Sequence, residues 1–340
     1  MQPNPYWDQY AKQPVLIKQG AQTLKFVSFK DGMLNAELEG GIGEISLPVS
    51  QSIAQSLQLQ LDIESAKQII AGGNLEEGLK LLRTKVYPLI KFHQLPAAFL
   101  QLHIPIQGLL NTLILAGEDG ELDDLFQRIQ LDQSDIAYSE IAIRFMDARI
   151  TKGEYEEAAK MTQSLPLDGQ YKVNISAVVK IADDLRAAGH YQAVIPIYRE
   201  IQHLLPDAIR ENVELWIAYS LVLAGELEEA QPLIEKMKEP AMEDRLFSLY
   251  QTLHGTLAHR NEDYSQALDL LTRGFVCAQS SYPWVPEMLY LIGECYRIKE
   301  DPKAARNVWT ELTTLYPESP AALRGSAALK KLPAPQTAEI

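Results

Sequence analysis

Gly153-Glu154-Tyr155-Glu156-Glu157-Ala158 returns as Gly189-His190-Tyr191-Gln192-Ala193-Val194, as Gly225-Glu226-Leu227-Glu228-Glu229-Ala230, as Glu262-Asp263-Tyr264-Ser265-Gln266-Ala267 and as Glu300-Asp301-Pro302-Lys303-Ala304-Ala305. The last residue of the phrase falls at positions 158, 194, 230, 267 and 305, a nearly constant step. Each copy reads as the turn of a helical hairpin: a breaker closes one helix, acidic or polar residues open the next, and a small apolar residue comes after. A fixed step in this range means stacked helix pairs, each burying its apolar face on its neighbours, rather than a single-core globule. Surfaces of that kind serve chiefly to hold other proteins.

Twelve residues before each of those last positions stand Met146, Ala182, Ala218, Gly255 and Gly293, four of them small. A small residue on each helix of a pair lets the backbones approach closely, and larger side chains fill the space beside them. Outward from this core, Gly73-Asn74-Leu75-Glu76-Glu77-Gly78 and Gly120-Glu121-Leu122-Asp123-Asp124-Leu125 are weaker copies of the phrase. The gap from Gly78 to Leu125 exceeds the normal step, and Pro96 and Pro105 predict a lengthened, kinked connection there. The first helix of this region is expected to carry Ile53, Leu57, Leu59, Ile63, Ala66 and Ile69-Ile70 on one face.

Residues 13 to 49 differ in period. Val15-Leu16-Ile17, Leu24 to Phe29, Met33 to Leu38 and Glu44 to Leu47 read as four short strands. They are broken at Gly20, Asp31-Gly32 and Gly40-Gly41-Ile42-Gly43. Asp-Gly between alternating segments is a strong hairpin signal, and a sheet this small needs the first helices to cover one face. The domains expected are therefore a β module with an N-terminal arm at 1–50, two degenerate hairpins at 51–131, five hairpins at 132–319, a capping helix at 320–331 and a tail at 332–340.

The chain has 340 residues, 46% of them hydrophobic and 22% charged, the balance of a folded domain. Its 31 Lys and Arg stand against 45 Asp and Glu, a formal net charge of −14, without a basic run. That charge repels phosphate backbones, so nucleic acid is not an expected partner. No apolar run is long enough to cross a bilayer, so no membrane span is expected. The opening Met1-Gln2-Pro3-Asn4-Pro5 lacks a basic region followed by an apolar core, which points to the cytoplasm; a secreted or periplasmic chain already trimmed of its signal would read the same. Two cysteines, Cys277 and Cys295, are too few for a disulfide framework and are expected as free thiols in neighbouring helices.

The last hairpin carries a family resemblance. Leu289, Gly293 and Tyr296 on its first helix, Ala305 and Trp309 on its second and the closing Pro317 resemble a tetratricopeptide repeat (TPR). The closing proline recurs as Pro206, whereas Gln170, Met242 and Gln279 replace it in the other three. The step is also a little longer than is usual in the family. The resemblance implies a mainly α fold, a right-handed α-solenoid of antiparallel helix hairpins, here preceded by a small antiparallel β-sheet. It also implies a concave groove lined by the first helices. On that face, pairs one turn apart are Ile143 and Asp147, Val179 and Asp183, Leu215 and Tyr219, Thr252 and Thr256, Tyr290 and Glu294. No Lys, Arg or Asn stands among these ten, so the clamp by which family members grip a terminal carboxylate is not carried over. Apolar residues, two tyrosines and three carboxylates suit an amphipathic or extended protein segment with basic residues. Replacing Tyr219 and Tyr290 together by Ala is expected to weaken partner binding and spare the fold.

Catalytic and metal patterns are wanting. The histidines at 93, 103, 190, 203, 254 and 259 are scattered, and His254 and His259, five apart, point to different sides of a helix. Glu118-Asp119-Gly120-Glu121-Leu122-Asp123-Asp124 lacks the sixth-place glycine and closing Glu of a calcium loop and reads as an acidic helix start. No cofactor, metal or catalytic residue is expected. The resulting expectation is a non-enzymatic scaffold or adaptor. Its rivals are a homo-oligomerising protein whose β module carries the function, and an accessory subunit of an enzyme. Trp284, between Pro283 and Pro286, is expected to be the exposed tryptophan.

Overall fold

The computed structural model describes residues 4–38 and 43–333. The predicted turn at Gly40-Gly41-Ile42 and the tail beyond Pro333 lie outside the described residues. By its internal contacts the chain forms two compact units, one of residues Met1–Glu154 and Met161–Ala177, the other of Tyr155–Lys160 and Val178–Ile340.

The first unit contains a six-residue helix, α1 (Pro5–Tyr10), and a five-stranded antiparallel sheet. Its strands are β1 (Val15–Gln19), β2 (Gln22–Lys30), β3 (Met33–Leu38), β4 (Glu44–Pro48) and β5 (Leu57–Leu59), in the order β4-β3-β2-β1-β5. Asp31 and Gly32, with φ of 52° and 72°, make the left-handed two-residue turn that the right-handed twist of a hairpin favours. Alternation puts Val15, Ile17, Leu24, Phe26, Leu34 and Ala36 on the buried face, where the Phe26 ring meets Phe92 edge-on at 5.7 Å. The opposite face is exposed and mixed, carrying Leu16 at 40% exposure as well as Lys25, which pairs with Glu37 at 2.9 Å.

The long helix expected from Ile53 to Ile70 is broken. Residues 51–56 form α2 (Gln51–Ser56), Leu57-Gln58-Leu59 pairs with Gln19-Lys18-Ile17 as the fifth strand, and α3 (Glu64–Ala71) begins only after Asp62, whose carboxylate accepts the Glu64 N–H. The open edge of β1 is the cause, since a bare row of backbone donors and acceptors outweighs the helical pattern of three residues. Gln101 secures the arrangement by accepting from the Leu59 N–H at 2.7 Å. The sheet therefore draws a strand from beyond residue 50.

Two helix pairs come next, α3 with α4 (Leu75–Ile90) and α5 (Leu100–Ala116) with α6 (Asp119–Arg128), then α7 (Ile136–Lys152). A Cβ on Gly78 would lie 2.3 Å from Ile70 Cγ1, so the glycine at the end of that degenerate phrase is what lets α3 and α4 touch. The lengthened connection is residues 91–99 with Pro96, whereas Pro105 lies inside α5. Beneath it sit two buried histidines. His103 Nε2 donates to Leu95 O at 2.9 Å, which fixes the neutral ring so that Nδ1 accepts from the Tyr138 hydroxyl at 2.8 Å. His93 Nδ1 lies 2.7 Å from Ser134 Oγ.

The boundary between units runs through α8 (Tyr155–Thr162). The second unit continues with four hairpins: α9 (Ile175–Ala187) and α10 (Tyr191–Gln202), α11 (Asp207–Ala224) and α12 (Leu227–Ile234), α13 (Arg245–Arg260) and α14 (Tyr264–Val276), α15 (Val285–Ile298) and α16 (Pro302–Leu315). Helix α17 (Pro320–Leu329) packs on the last pair. The repeated phrase has a single backbone meaning: its first residue is left-handed in all five copies, with φ of 83°, 90° and 91° at Gly153, Gly189 and Gly225 and of 62° and 60° at Glu262 and Glu300. Its last residue is fully buried every time, at Ala158, Val194, Ala230, Ala267 and Ala305.

Candidate protein-binding site

Of the ten residues expected on the first-helix face, Ile143 and Asp147 belong to the first unit and stand half-buried on α7. Helices α5 and α7 lie side by side there, joined by the His103–Tyr138 bond and by Arg144, which donates to Asn111 Oδ1 at 3.0 Å. The solvent side of this pair carries Leu100 and Ile104, 59% and 54% exposed, together with Ile136. Leu100 and Ile104 were missed because α5 is mostly apolar with only a weak one-sided pattern, so periodicity does not say which of its residues face water.

In the second unit Val179, Asp183, Tyr290 and Glu294 are half-buried, but Leu215, Tyr219, Thr252 and Thr256 are buried, at 5%, 2%, 0% and 1% exposure. These four do not offer a solvent-facing strip, and removing the Tyr219 ring would not spare the fold. For Tyr219 the reason lies further along the chain, whereas Leu215 lies against the segment that leads into α13. Trp284, expected at the surface, is 1% exposed: the segment before α15 folds it against Trp216 of α11, ring to ring at 5.5 Å, and its Nε1 donates to Ser248 Oγ of α13 at 3.0 Å. The start of α17 then closes the face. Pro320 and Ala321 meet Arg186, Tyr191, Tyr219 and Glu287 around a small, partly open cavity of about 50 Å³. Thr252 and Thr256 spend their hydroxyls on the carbonyls of Ser248 and Thr252, each at 2.7 Å.

An open cleft of about 830 Å³ remains at the end of the unit, and two of the expected residues, Tyr290 and Glu294, line it. One wall is α15, the other α17 and the residues just past it. Arg324 of α17 lays its guanidinium over the Tyr290 ring, 4.3 Å from the centroid, and is anchored by the buried Glu287 carboxylate. Glu294 pairs with Arg297 one turn on at 2.8 Å. Ala327, Ala328 and Leu332 supply apolar lining, and Lys331 adds an ammonium that makes no ion pair among the described residues. Tyr290 is held from behind, because its carbonyl accepts the Trp309 indole N–H at 3.1 Å.

The electrostatics differ from a bare acidic strip. Asp183 accepts from Arg186 at 3.0 Å and from the Tyr198 hydroxyl at 2.7 Å, so it and Glu294 are both answered within the chain. An arginine three residues after each carboxylate was the available signal, since i and i+3 share a helix face. Arg324 and Lys331 were missed because they lie on the capping segment, outside the repeat. Both cysteines are free: Cys277 is half-buried, and burial pushes the Cys295 thiol up to about 11. Among the described residues no helix is long and apolar enough to cross a membrane, and no His, Cys, Asp and Glu group is placed to hold a metal ion.

No family model and no curated protein matches this chain. Among solved structures it is similar to a tetratricopeptide repeat protein from Parabacteroides merdae, with 13% identity and a TM-score of 0.42 over 79% of this chain and 96% of that one. It is also similar to YrrB, described as a TPR protein with an unusual peptide-binding site, with 15% identity and a TM-score of 0.30 over 55% and 91% of the two chains. The Cut9–Hcn1 hetero-tetramer of APC/C gives 16% identity and a TM-score of 0.42 over 82% of this chain and 54% of that one. Likeness of this degree says nothing of a partner. On its own geometry, a left-handed residue opening each phrase and a buried small residue closing it, the helical array is tetratricopeptide-repeat-like.

Proposed function

We propose that this protein is a non-catalytic protein-binding scaffold, and that the cleft between α15 and α17 receives a segment of its partner. The observation that carries this reading is the cleft itself. It is preformed, its volume falls within the roughly 300–1,000 Å³ of ligand pockets, and its aromatic floor is fixed from both sides by Arg324 and Trp309. The partner segment is amphipathic: an apolar side chain packs on Tyr290 and the alanines, and a carboxylate answers Lys331. A basic segment is less suited here than the acidity of the whole chain suggests, because Glu294 is already taken by Arg297.

A photo-crosslinking residue at Ala327, inside the cleft, tests this against the same residue at Leu323, which is 69% exposed one turn away on the same helix and outside the cleft. A partner crosslinked at 327, absent at 323 and lost on adding Tyr290→Ala supports the site. Equal labelling at both positions, or labelling indifferent to Tyr290, would move the site elsewhere. Crosslinks to a second copy of the chain would favour self-association, to which exposed Leu315 and Leu323 lend themselves.

A further inference from the structure

The first unit holds a different kind of site, already filled. Between α4 and α6 two guanidinium groups present flat faces, each fixed by carboxylates behind it. Arg83, 5% exposed, donates from Nε and Nη2 to both oxygens of Glu121, at 3.1, 3.0 and 2.6 Å, and lies 3.4 Å from Glu118. Arg128 donates to both oxygens of Asp124, each at 2.8 Å. Tyr87 stands between them and donates to Glu121 at 2.5 Å. Every bond in this socket lies within α4, α6 and the residue that opens α6, so it is complete whether or not anything lies on it.

What lies on it is Asn4 and α1. The Tyr6 ring covers Arg83 and the Trp7 ring covers Arg128, each with 4.2 Å between guanidinium carbon and ring centroid. The rings of Tyr6, Trp7 and Tyr10 surround Tyr87 at 6.2 to 6.4 Å. The Asn4 amide donates to the Tyr87 hydroxyl at 3.0 Å and to Asp124 at 2.9 Å, while its oxygen caps α1 by accepting the Tyr6 N–H. A helix this short does not hold in water by itself, so the socket supplies the stability of α1. Residues 11–14 lead from α1 to β1, and the backbone bonds they donate, Ala11 to Trp7 and Gln13 to Tyr10, reach back only into the arm. The arm is thus joined to the unit as a ligand is: through its side chains, to a preorganised face, on a short tether.

We propose that the face between α4 and α6 is a second protein-binding site, a reader of short segments in which Asn-Pro precedes two aromatic residues, and that residues 4–10 hold it closed in cis. Complementarity argues for this occupant. Two guanidinium planes, spaced to take consecutive aromatic rings, are flanked by a phenol and a carboxylate that accept from one side-chain amide. A partner segment of this composition competes with the arm, so the site opens to the extent that the arm is displaced.

The test uses the full chain and a fluorescently labelled peptide of residues 1–12, read by anisotropy. The Tyr6→Ala/Trp7→Ala chain should bind this peptide at least about tenfold more tightly than wild type, whose own arm competes. Adding Arg128→Gln to that chain, or Trp7→Ala to the peptide, should abolish binding. If the loosened chain keeps its helical circular dichroism and fails to bind the peptide, the arm is a fixed part of the fold and the proposal fails. If wild type instead dimerises at the concentrations used, through exchange of arms, the occupant is a second copy and the partner assignment is overturned.

Discussion

Gly293→Ala puts the close approach of α15 and α16 to a direct test. A Cβ at this position would lie 2.2 Å from Trp309 Nε1 and 2.6 Å from both Cδ1 and Cε2. An ordinary contact begins at 3.4 Å, so relief demands that the indole shift by more than half a bond length. Trp309 is fully buried among Leu289, Ala305, Leu312, Ala321 and Ala322, so the ring cannot move without forcing them apart. Overpacking of this kind costs about 1–3 kcal/mol. The same movement stretches the Trp309 bond to Tyr290 O, and a buried donor left without its acceptor costs about 1–3 kcal/mol more. Helix propensity works the other way, since Ala is favoured over Gly by about 1 kcal/mol. The net expectation is a loss of about 1–5 kcal/mol, read from urea unfolding followed by circular dichroism. Gly108→Ala is the control: it lies within α5 and its Cβ would meet nothing within 4 Å, so the same change should raise stability by about 0.5–1 kcal/mol. Trp309→Leu should remove most of the Gly293→Ala penalty, as expected for two directly coupled sites. A Gly293→Ala chain as stable as wild type would refute the packing account of the repeat.

Tyr219→Ala should cost about 3–5 kcal/mol of stability, as for other large buried rings, and lower the melting temperature whether or not a partner is present. Glu300→Gly should stabilise by about 0.5–1 kcal/mol, measured by the same urea titration, because a side chain at φ of 60° is strained and Gly is not; no gain would mean that Glu300 makes good its strain elsewhere. His93 carries a pH dependence. Burial, then the neighbouring His103, lowers its pKa to about 4, while Asp135 acts on His103 in the opposite sense. The unfolded chain therefore takes up a proton near pH 6.5 that the folded chain refuses, and stability falls as pH drops from about 6.5 to 4, by up to about 3 kcal/mol. His93→Gln should flatten the melting temperature over that range, and an unchanged slope would place the titration on other groups.

The hairpins were legible because their signal is local. A residue that must turn left-handed and a small one that must vanish between helices recur at a nearly constant step, and neither depends on distant parts of the chain. Glu262 and Glu300 were readable only by alignment with Gly153, Gly189 and Gly225, since nothing in a glutamate announces a positive φ. The candidate surface was legible only in part. Periodicity told which side of α11 and α13 Leu215, Tyr219, Thr252 and Thr256 occupy, but not that Trp284 would come back onto Trp216 and Ser248 or that the start of α17 would reach Tyr219. Leu57-Gln58-Leu59 failed for a related reason: three residues fit a helix face or a strand equally, and the vacant edge of β1 decided between them. What a residue meets from far along the chain was the missing information in each case.

Trp284 sets a limit on how the second unit can evolve. It opens α15 yet rests on α11 and α13, so it ties together hairpins that are not immediate neighbours. Arrays whose repeats touch only adjacent repeats can gain or lose a copy, or melt from one end, without disturbing the remainder. Here, deleting the α13–α14 hairpin would strip the indole of Ser248, and duplicating it would part the indole from Trp216. The modularity promised by a recurring phrase is therefore suspended over these three hairpins, which should be inherited, and should unfold, as one indivisible block.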